Sequence, residues 1–367
     1  MTLTIAKASG EPLSLGRNAM CLCTDRRMLF PALFVAEGVL SHAGPARDAF
    51  DIVIVAEPSE VDDAARRWME ARGILWCDDI DTARLRGLVD FHPRLSVATL
   101  VKLVLPEHFA ARYHKILYLD ADLSIHGDVT ALFRLDTGPF ALAAVPSGRR
   151  WPAWMTSEEA HFAEHARSLG MTPPYRFINT GVILFDVAKW NRDGLGARAL
   201  DYIRRNPDLC YLPDEHGLNA VLDGQQAELS SIWNMTPRVW REPGLRALVE
   251  PAIIHYAGAD KPWKKYGFGK RLLHDRPAYR LYETFLRDSP WPDWLATQWT
   301  LKDLRMNLFW EAKILSRRLR RKASAPPSRR QLRQDHDATR RYFDGRTFTD
   351  VEQGIVVRTD GQFRLRQ

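Results

Sequence analysis

A chain of 367 residues with 46% apolar, 26% charged and 10% aromatic side chains has the composition of a globular protein, long enough for one large domain or two smaller ones. Its four cysteines form no C-x-x-C pair and no zinc-module spacing. The first twenty residues lack an apolar signal core, and the longest apolar stretch, Leu29 to Leu40, is broken by Pro31 and Glu37. These features argue against a disulfide framework, secretion and a bilayer-spanning helix, and suit a reducing compartment.

The formal charge of +7 is unevenly placed. Leu301 to Gln367 holds 17 Lys/Arg against 8 Asp/Glu, whereas the first 300 residues hold 35 against 37. Attraction to a polyanion or a membrane therefore belongs to the tail.

In chain order, Asn18 to Thr24 reads as a buried strand ending at Thr24-Asp25. A helix follows, with Pro31 in its first turn and Gly44 beyond its end. Asp51 to Ala56 is the next strand, and Ser59, three residues before Asp62, is the predicted cap of a helix through Arg72. Ile74 to Cys77 is a third strand and Ser96 to Phe109 a helix, and within His114 to Ile125 an apolar run of strand length delivers Asp120-Ala121-Asp122 at its C-terminal end. Strands alternating with helices indicate α/β layering with parallel strands in this half.

Phe140 to Val145 is a further strand. Pro146 to Arg176, with Trp151, Trp154 and Pro173-Pro174 around one helix from Glu158 to Leu169, reads as an insertion. Val182 to Phe185 is a short strand, and Leu195 to Arg205 and Pro213 to Leu222 are helices. Pro251 to Tyr256 is a strand, Pro277 to Arg287 a helix, and Ala323 to Ser328 a linker.

Four segments carry candidate chemistry. Asp120 and Asp122, one residue apart on an extended chain, point the same way and repel unless a cation lies between them. His255 closes an apolar strand before a turn bearing Lys261 and Trp263. Its imidazole complements two carboxylates as a ligand for manganese or a similar ion, and Lys261 suits a phosphate. Asn179, in Phe177-Ile178-Asn179-Thr180-Gly181-Val182, offers donors and acceptors for a hydroxyl-rich ligand, although the same tripeptide also fits a plain turn. Asp214-Glu215-His216 opens a helix, where Asp214 could equally be a cap.

In this order and spacing, Tyr118-Leu119-Asp120-Ala121-Asp122, Asn179-Thr180-Gly181-Val182 and His255-Tyr256-Ala257-Gly258 with Lys261-Pro262-Trp263 resemble glycosyltransferase family 8. That group contains bacterial lipopolysaccharide galactosyl- and glucosyltransferases and glycogenin, and the resemblance covers roughly residues 18–270. It implies an α/β fold of the GT-A type, a mixed and mostly parallel central sheet flanked by helices, followed by a C-terminal helical extension. It further implies a UDP-sugar donor, manganese (with magnesium as the alternative) and retention of anomeric configuration. By position, Asp120, Asp122 and His255 would hold the cation. Lys261 and Lys102, the latter where the family usually has arginine, would reach the diphosphate or sugar. Thr24 and Asp25 would lie by the nucleotide, and Asn179, Asp214 and Glu215 would face the transferred sugar, with Asp214 and Glu215 in catalytic roles.

Two departures bear on which sugar is moved. Glu215 stands where the family commonly has glutamine, and His216 where it often has an acidic residue.

The tail from Leu301 to Lys322 interleaves apolar residues with Lys313, Arg317, Arg318, Arg320, Arg321 and Lys322, the pattern of an amphipathic helix on an anionic bilayer. A helix packed on the domain with a solvated basic face fits equally. No nucleic-acid module accompanies the charge, so nucleic acid is not an expected partner.

The expected organisation is a leader over 1–17, a catalytic domain over 18–290, a basic helical region over 291–322 and a tail over 323–367. The expected function is metal-dependent, retaining transfer of galactose or glucose from a UDP-sugar to a glycan or glycolipid such as lipopolysaccharide. The setting expected is cytoplasmic, peripheral to the inner membrane face. The rival readings are a phosphatase of the haloacid dehalogenase type, which also ends a strand in D-x-D, and a membrane-associated nucleotide- or glycan-binding protein without catalysis.

Overall fold

A computed structural model describes residues 17–89, 95–147, 163–173, 175–236, 251–257, 261–264 and 276–294, with isolated helical positions between 305 and 316. These residues divide into two compact units, one ending at Ile254 and the other beginning at His255.

Nine strands are described: β1 (Arg17–Cys23), β2 (Phe50–Val55), β3 (Leu75–Cys77), β4 (Tyr113–Leu119), β5 (Leu123–Ile125), β6 (Leu142–Pro146), β7 (Ile178–Asp186), β8 (Ala227–Glu228) and β9 (Ile253–His255). Seven form one sheet in the order β3-β2-β1-β4-β7-β6-β8, and β5 pairs with β9. The sheet is parallel from β3 to β4 and between β6 and β8, and antiparallel where β7 meets β4 and β6. Every residue of β2 and the last five of β1 are buried. That explains their largely apolar sequence, because such strands are covered on both faces, and the one carboxylate among them, Asp51, accepts from the Tyr113 hydroxyl at 3.1 Å.

The strand order reverses beside β1, whose neighbours β2 and β4 lie on opposite sides. In an open α/β sheet that reversal opens a crevice beyond the carboxyl ends of the strands.

Among the described residues the first unit carries α1 (Leu29–His42), α2 (Asp63–Glu70), α3 (Ala98–Val101), α4 (Leu105–His108), α5 (Val187–Arg192), α6 (Leu195–Arg205) and α7 (Pro213–Leu222), and the second unit carries α8 (Arg276–Arg287). Several depart from the sequence reading for identifiable reasons. The helix expected over Ser96 to Phe109 is two single turns. Leu103 and Val104 donate to carbonyls three residues back, and Pro106 has no N–H to continue an α ladder. The cap of α2 is Asp62, whose side chain accepts from the Ala65 amide at 2.7 Å, whereas Ser59 sits in a separate single turn over Pro58–Glu60.

The short strand expected over Val182 to Phe185 is nine residues long, so Asn179-Thr180-Gly181 lies inside β7 rather than in a turn. Conversely, β4 stops at Leu119, and Asp120-Ala121-Asp122 is the turn between β4 and β5. The alternation argument that aimed the two aspartates therefore does not apply. Asp120 is instead fixed by its amide, which donates to the Gly181 carbonyl at 2.8 Å and adds a last rung to the β4–β7 ladder.

The insertion expected over Pro146 to Arg176 is described from 163. Residues 163–168 are helical, and Ala166, Leu169 and Met171 bury a small cluster with Phe177. Among the described residues no helix is long and apolar enough to cross a membrane. The basic stretch from Leu301 to Lys322 falls largely outside the described residues, as do the linker and the tail beyond it.

Candidate active site

The carboxyl ends of β1, β2 and β3 wall a cavity of about 220 Å3 lined by Thr24, Asp25, Ala56, Cys77, Asp78 and Val101 among others. Thr24 extends the β1 ladder by donating its amide to Val55 at 2.9 Å. The Asp25 carboxylate accepts from the Arg27 and Met28 amides and pairs with the Arg27 guanidinium at 3.0 Å. Both residues thus lie at the rim of a crevice, with Asp25 holding the entry into α1.

Val101 of the cavity wall is followed by Lys102, which joins this cavity to the aspartate turn. Lys102 is 1% exposed. Its ammonium donates to Asp214 Oδ2 at 2.7 Å, Asp120 Oδ1 at 3.1 Å and the Thr180 carbonyl at 3.3 Å, and lies 4.5 Å from the centre of the Tyr118 ring. Burial opposes its charge, but the Asp120 and Asp214 carboxylates more than offset that and hold the ammonium above the usual lysine range. The Tyr118 hydroxyl donates to the same Asp120 oxygen at 2.6 Å. Burial and then that carboxylate push the phenol well up, so it remains a donor.

Asp214 sits in the first turn of α7 but caps nothing, because the cap position is Leu212 and no side chain bonds there. Its Oδ2 accepts from Thr180 Oγ1 at 2.9 Å as well as from Lys102. The next residue, Glu215, accepts from the Asn179 amide at 2.9 Å, and the Asn179 oxygen accepts from Asn234 at 2.7 Å and the Gly181 amide at 3.0 Å.

One side chain fastens α7 to β7. Asn219, fully buried, accepts from the Ile178 amide at 2.7 Å and donates to the Ile178 carbonyl at 2.9 Å and the Glu215 carbonyl at 2.7 Å. It thus satisfies both backbone groups at the start of β7 in the interior.

His216 faces away from this network. It is 2% exposed, its Nδ1 is 3.1 Å from the Leu209 carbonyl, and its Nε2 is 3.2 Å from His165 Nε2. Burial, then His165, pull its pKa down to about 4, so it is a neutral packing residue.

The strand β9 is anchored by backbone bonds from Met235 to Ile253 at 3.0 Å and from His126 to Ala252 at 2.8 Å, and it ends in buried His255. Asp120, Asp122 and His255 each offer one ligand atom, and the three atoms lie within 4.8 Å of one another. Two carboxylate oxygens and an imidazole nitrogen, with no sulfur, form a donor set suited to manganese or magnesium more than to a soft ion. Lys261 belongs to the second unit, where its ammonium donates to the Tyr256 carbonyl at 3.0 Å.

The structure therefore brings together Asp120, Asp122 and His255 as one group, joins Lys102 directly to Asp120 and Asp214, and joins Asn179 directly to Glu215. Sequence reasoning gave no role to Tyr118, Thr180, Asn219 or Asn234. Tyr118 precedes Asp120 by two residues, a spacing that signals a shared face. Asn234 carries no comparable local signal.

Comparison with known proteins identifies the relatives of this chain. Lipopolysaccharide 1,2-glucosyltransferase of Escherichia coli is 26% identical over 187 residues, 49% of this chain and 51% of that protein. General stress protein A of Bacillus subtilis is 27% identical over 162 residues, 41% and 52% respectively. The chain spans about half the length of these curated relatives. Among solved structures, a galactosyltransferase in complex with donor and acceptor sugar analogues matches with a TM-score of 0.58 at 19% identity, over 73% of this chain and 95% of that one. That likeness shows the fold, which is of the GT-A type. The family model described as glycosyl transferase family 8 matches residues 20–267, more than half of the sequence. With its aspartate turn, its mixed sheet and this match, the chain belongs to glycosyltransferase family 8.

Proposed function

We propose that the protein transfers a hexose, glucose or galactose, from a UDP-sugar to a cell-surface glycan or glycolipid such as lipopolysaccharide. The reaction is metal-dependent and retains anomeric configuration. The observation that carries this reading is the convergence of Asp120, Asp122 and His255 beside a buried network that ends in Asn179, Asp214 and Glu215. A cation held by the first three would stabilise the charge that develops on a diphosphate leaving group.

The protein's own residues supply the rest. The cavity rimmed by Thr24 and Asp25 takes the nucleoside. Lys102 and Tyr118 fix the Asp120 carboxylate so that it needs little reorganisation when the donor arrives. Asn179 positions Glu215, and Glu215 and Asp214 face the transferred sugar, as the family resemblance assigns them. Lys261 is assigned to the diphosphate on that resemblance alone. The acceptor class draws support from the lipopolysaccharide glucosyltransferase relative and from a lipopolysaccharide 1,3-galactosyltransferase of Salmonella typhimurium that is 24% identical over 223 residues. Leu301 to Lys322 is assigned to an anionic membrane surface on its charge, which would hold the enzyme on the cytoplasmic face beside a lipid-linked acceptor.

A screen of UDP-sugars for manganese-dependent UDP release tests this reading. Release with one UDP-hexose, abolished by chelation and by Asp122→Ala, is the expected result. No release from any of them, with cell-envelope lipid supplied and in wild type and Asp122→Ala alike, would sink it.

A further inference from the structure

A second group of donor atoms lies at the carboxyl end of β3, built from residues other than those of the aspartate turn. Cys77 ends the strand, Asp79 follows in the loop, and His108 ends α4. Cys77 Sγ lies 3.1 Å from Asp79 Oδ1 and 3.7 Å from His108 Nε2, and that nitrogen lies 3.2 Å from the same Asp79 oxygen.

The three atoms form a triangle rather than a relay. In a thiol–imidazole–carboxylate triad the carboxylate holds the ring nitrogen remote from the thiol. Here Asp79 and Cys77 both address Nε2. A tetrahedral ion bound by thiolate, imidazole and carboxylate at roughly 2.3, 2.0 and 2.1 Å would place those atoms roughly 3.3–3.6 Å apart. The observed edges depart from those distances by about 0.5 Å at most, the largest gap being at Cys77 Sγ–Asp79 Oδ1.

Charge and access point the same way. One thiolate and one carboxylate cancel a divalent ion, so the bound set is neutral. Cys77 is 1% exposed, whereas the Asp79 and His108 side chains keep 25% and 13% of their surface, which gives an ion a way in.

We propose that Cys77, Asp79 and His108 form a second cation site, selective for a divalent ion of the zinc class, with water completing the coordination. Binding forms a sulfur–metal bond in place of the Cys77 S–H bond, and the proton leaves to solvent. The site lies on the cavity wall, because Cys77 and its neighbour Asp78 both line that cavity.

The test uses the full chain carrying Asp120→Asn and Asp122→Asn, which disables the other donor set. Zinc titrated against a chromogenic chelator should show one tightly held ion per chain. Adding Cys77→Ser should abolish that binding, and adding His108→Gln should weaken it at least tenfold. Cobalt as the probe should give thiolate charge-transfer absorption in the near ultraviolet, absent after Cys77→Ser. Melting curves of the metal-free variants show whether each is folded, and if Cys77→Ser is not, His108→Gln carries the comparison. Zinc stoichiometry unchanged by both variants, or cobalt spectra without the thiolate band, would overturn the site. Neither readout involves nucleotide or sugar, so failure here leaves the glycosyl-transfer reading standing.

Discussion

Lys102 shows how a side chain singled out by resemblance can hold a site together through bonds the sequence does not reveal. The resemblance points it at phosphate or sugar, whereas in the fold its ammonium lies between Asp120 and Asp214. Replacing it with methionine leaves two carboxylates without their common cation, a change that costs about 3 kcal/mol in a buried pair. Urea denaturation of Lys102→Met should show that loss, and adding Asp214→Asn should recover part of it by removing one of the opposed charges. A loss below about 0.5 kcal/mol, the ordinary range for surface substitutions, would place the lysine outside the structural network. His216 gives a pH-dependent counterpart. Its folded pKa of about 4 lies below the ordinary 6.5, so the unfolded chain takes the proton first as the solution is acidified. Its contribution is present above pH 6.5 and is lost as pH falls through 4, about 3 kcal/mol in all. The stability gap between pH 7.5 and pH 4 should therefore narrow in His216→Gln, read from denaturation curves at both values. The sequence placed Asp214 and His216 in one motif but not their separate environments, because those are set by Lys102 and His165, far away along the chain.

At the scale of elements, the helix that carries Asp214 and Glu215 is held close to its neighbour by a missing side chain. A Cβ on Gly217 would meet Ile203 side-chain carbons at 2.4 and 2.8 Å and the Ala199 carbonyl at 3.2 Å. Gly217→Ala must push α7 away from α6, with an overpacking cost of about 1–3 kcal/mol and displacement of both carboxylates. Thermal denaturation should show the destabilisation, and the turnover number should fall with it. Ile203→Ala in the same chain should restore part of both, so the double mutant is less impaired than the sum of the singles. Helices such as α6 and α7 were legible because the apolar period and the leading Pro213 are local signals. The broken segment at α3 and α4 was not, since its apolar residues suit a helix and only Pro106 disputes it. The Asn-Thr-Gly stretch misled in the other direction. Its turn-like composition is overridden by pairing on its flanks, Val182 to Asp186 with β4 and Ile178 with Pro146 of β6, and by the Asp120 amide donating to the Gly181 carbonyl.

Across the whole molecule, the alternation of strands and helices made the α/β class readable, and the aspartates, Asn179 and His255 made the candidate site readable. The order of the strands was not, because β4 joins β1 only after a long connection and nothing local reveals that β7 runs against its neighbours. That reversed strand places the site. Because β7 is antiparallel to both β4 and β6, its first residues lie at the same rim as the last residues of those two strands. Pro146 pairs with Ile178 there, the Ser147 amide donates to the Phe177 carbonyl at 2.9 Å, and the Asp120 amide reaches Gly181. The connection from β6 to β7 thus leaves and re-enters through a hydrogen-bonded neck opening onto the aspartate turn. The two sides of that neck are tied to each other through Pro146, Ser147, Phe177 and Ile178. In engineering terms the neck is a socket, and a graft seated in it has to restore the packing of Ala166, Leu169 and Met171 on Phe177 and the contact of His165 with His216.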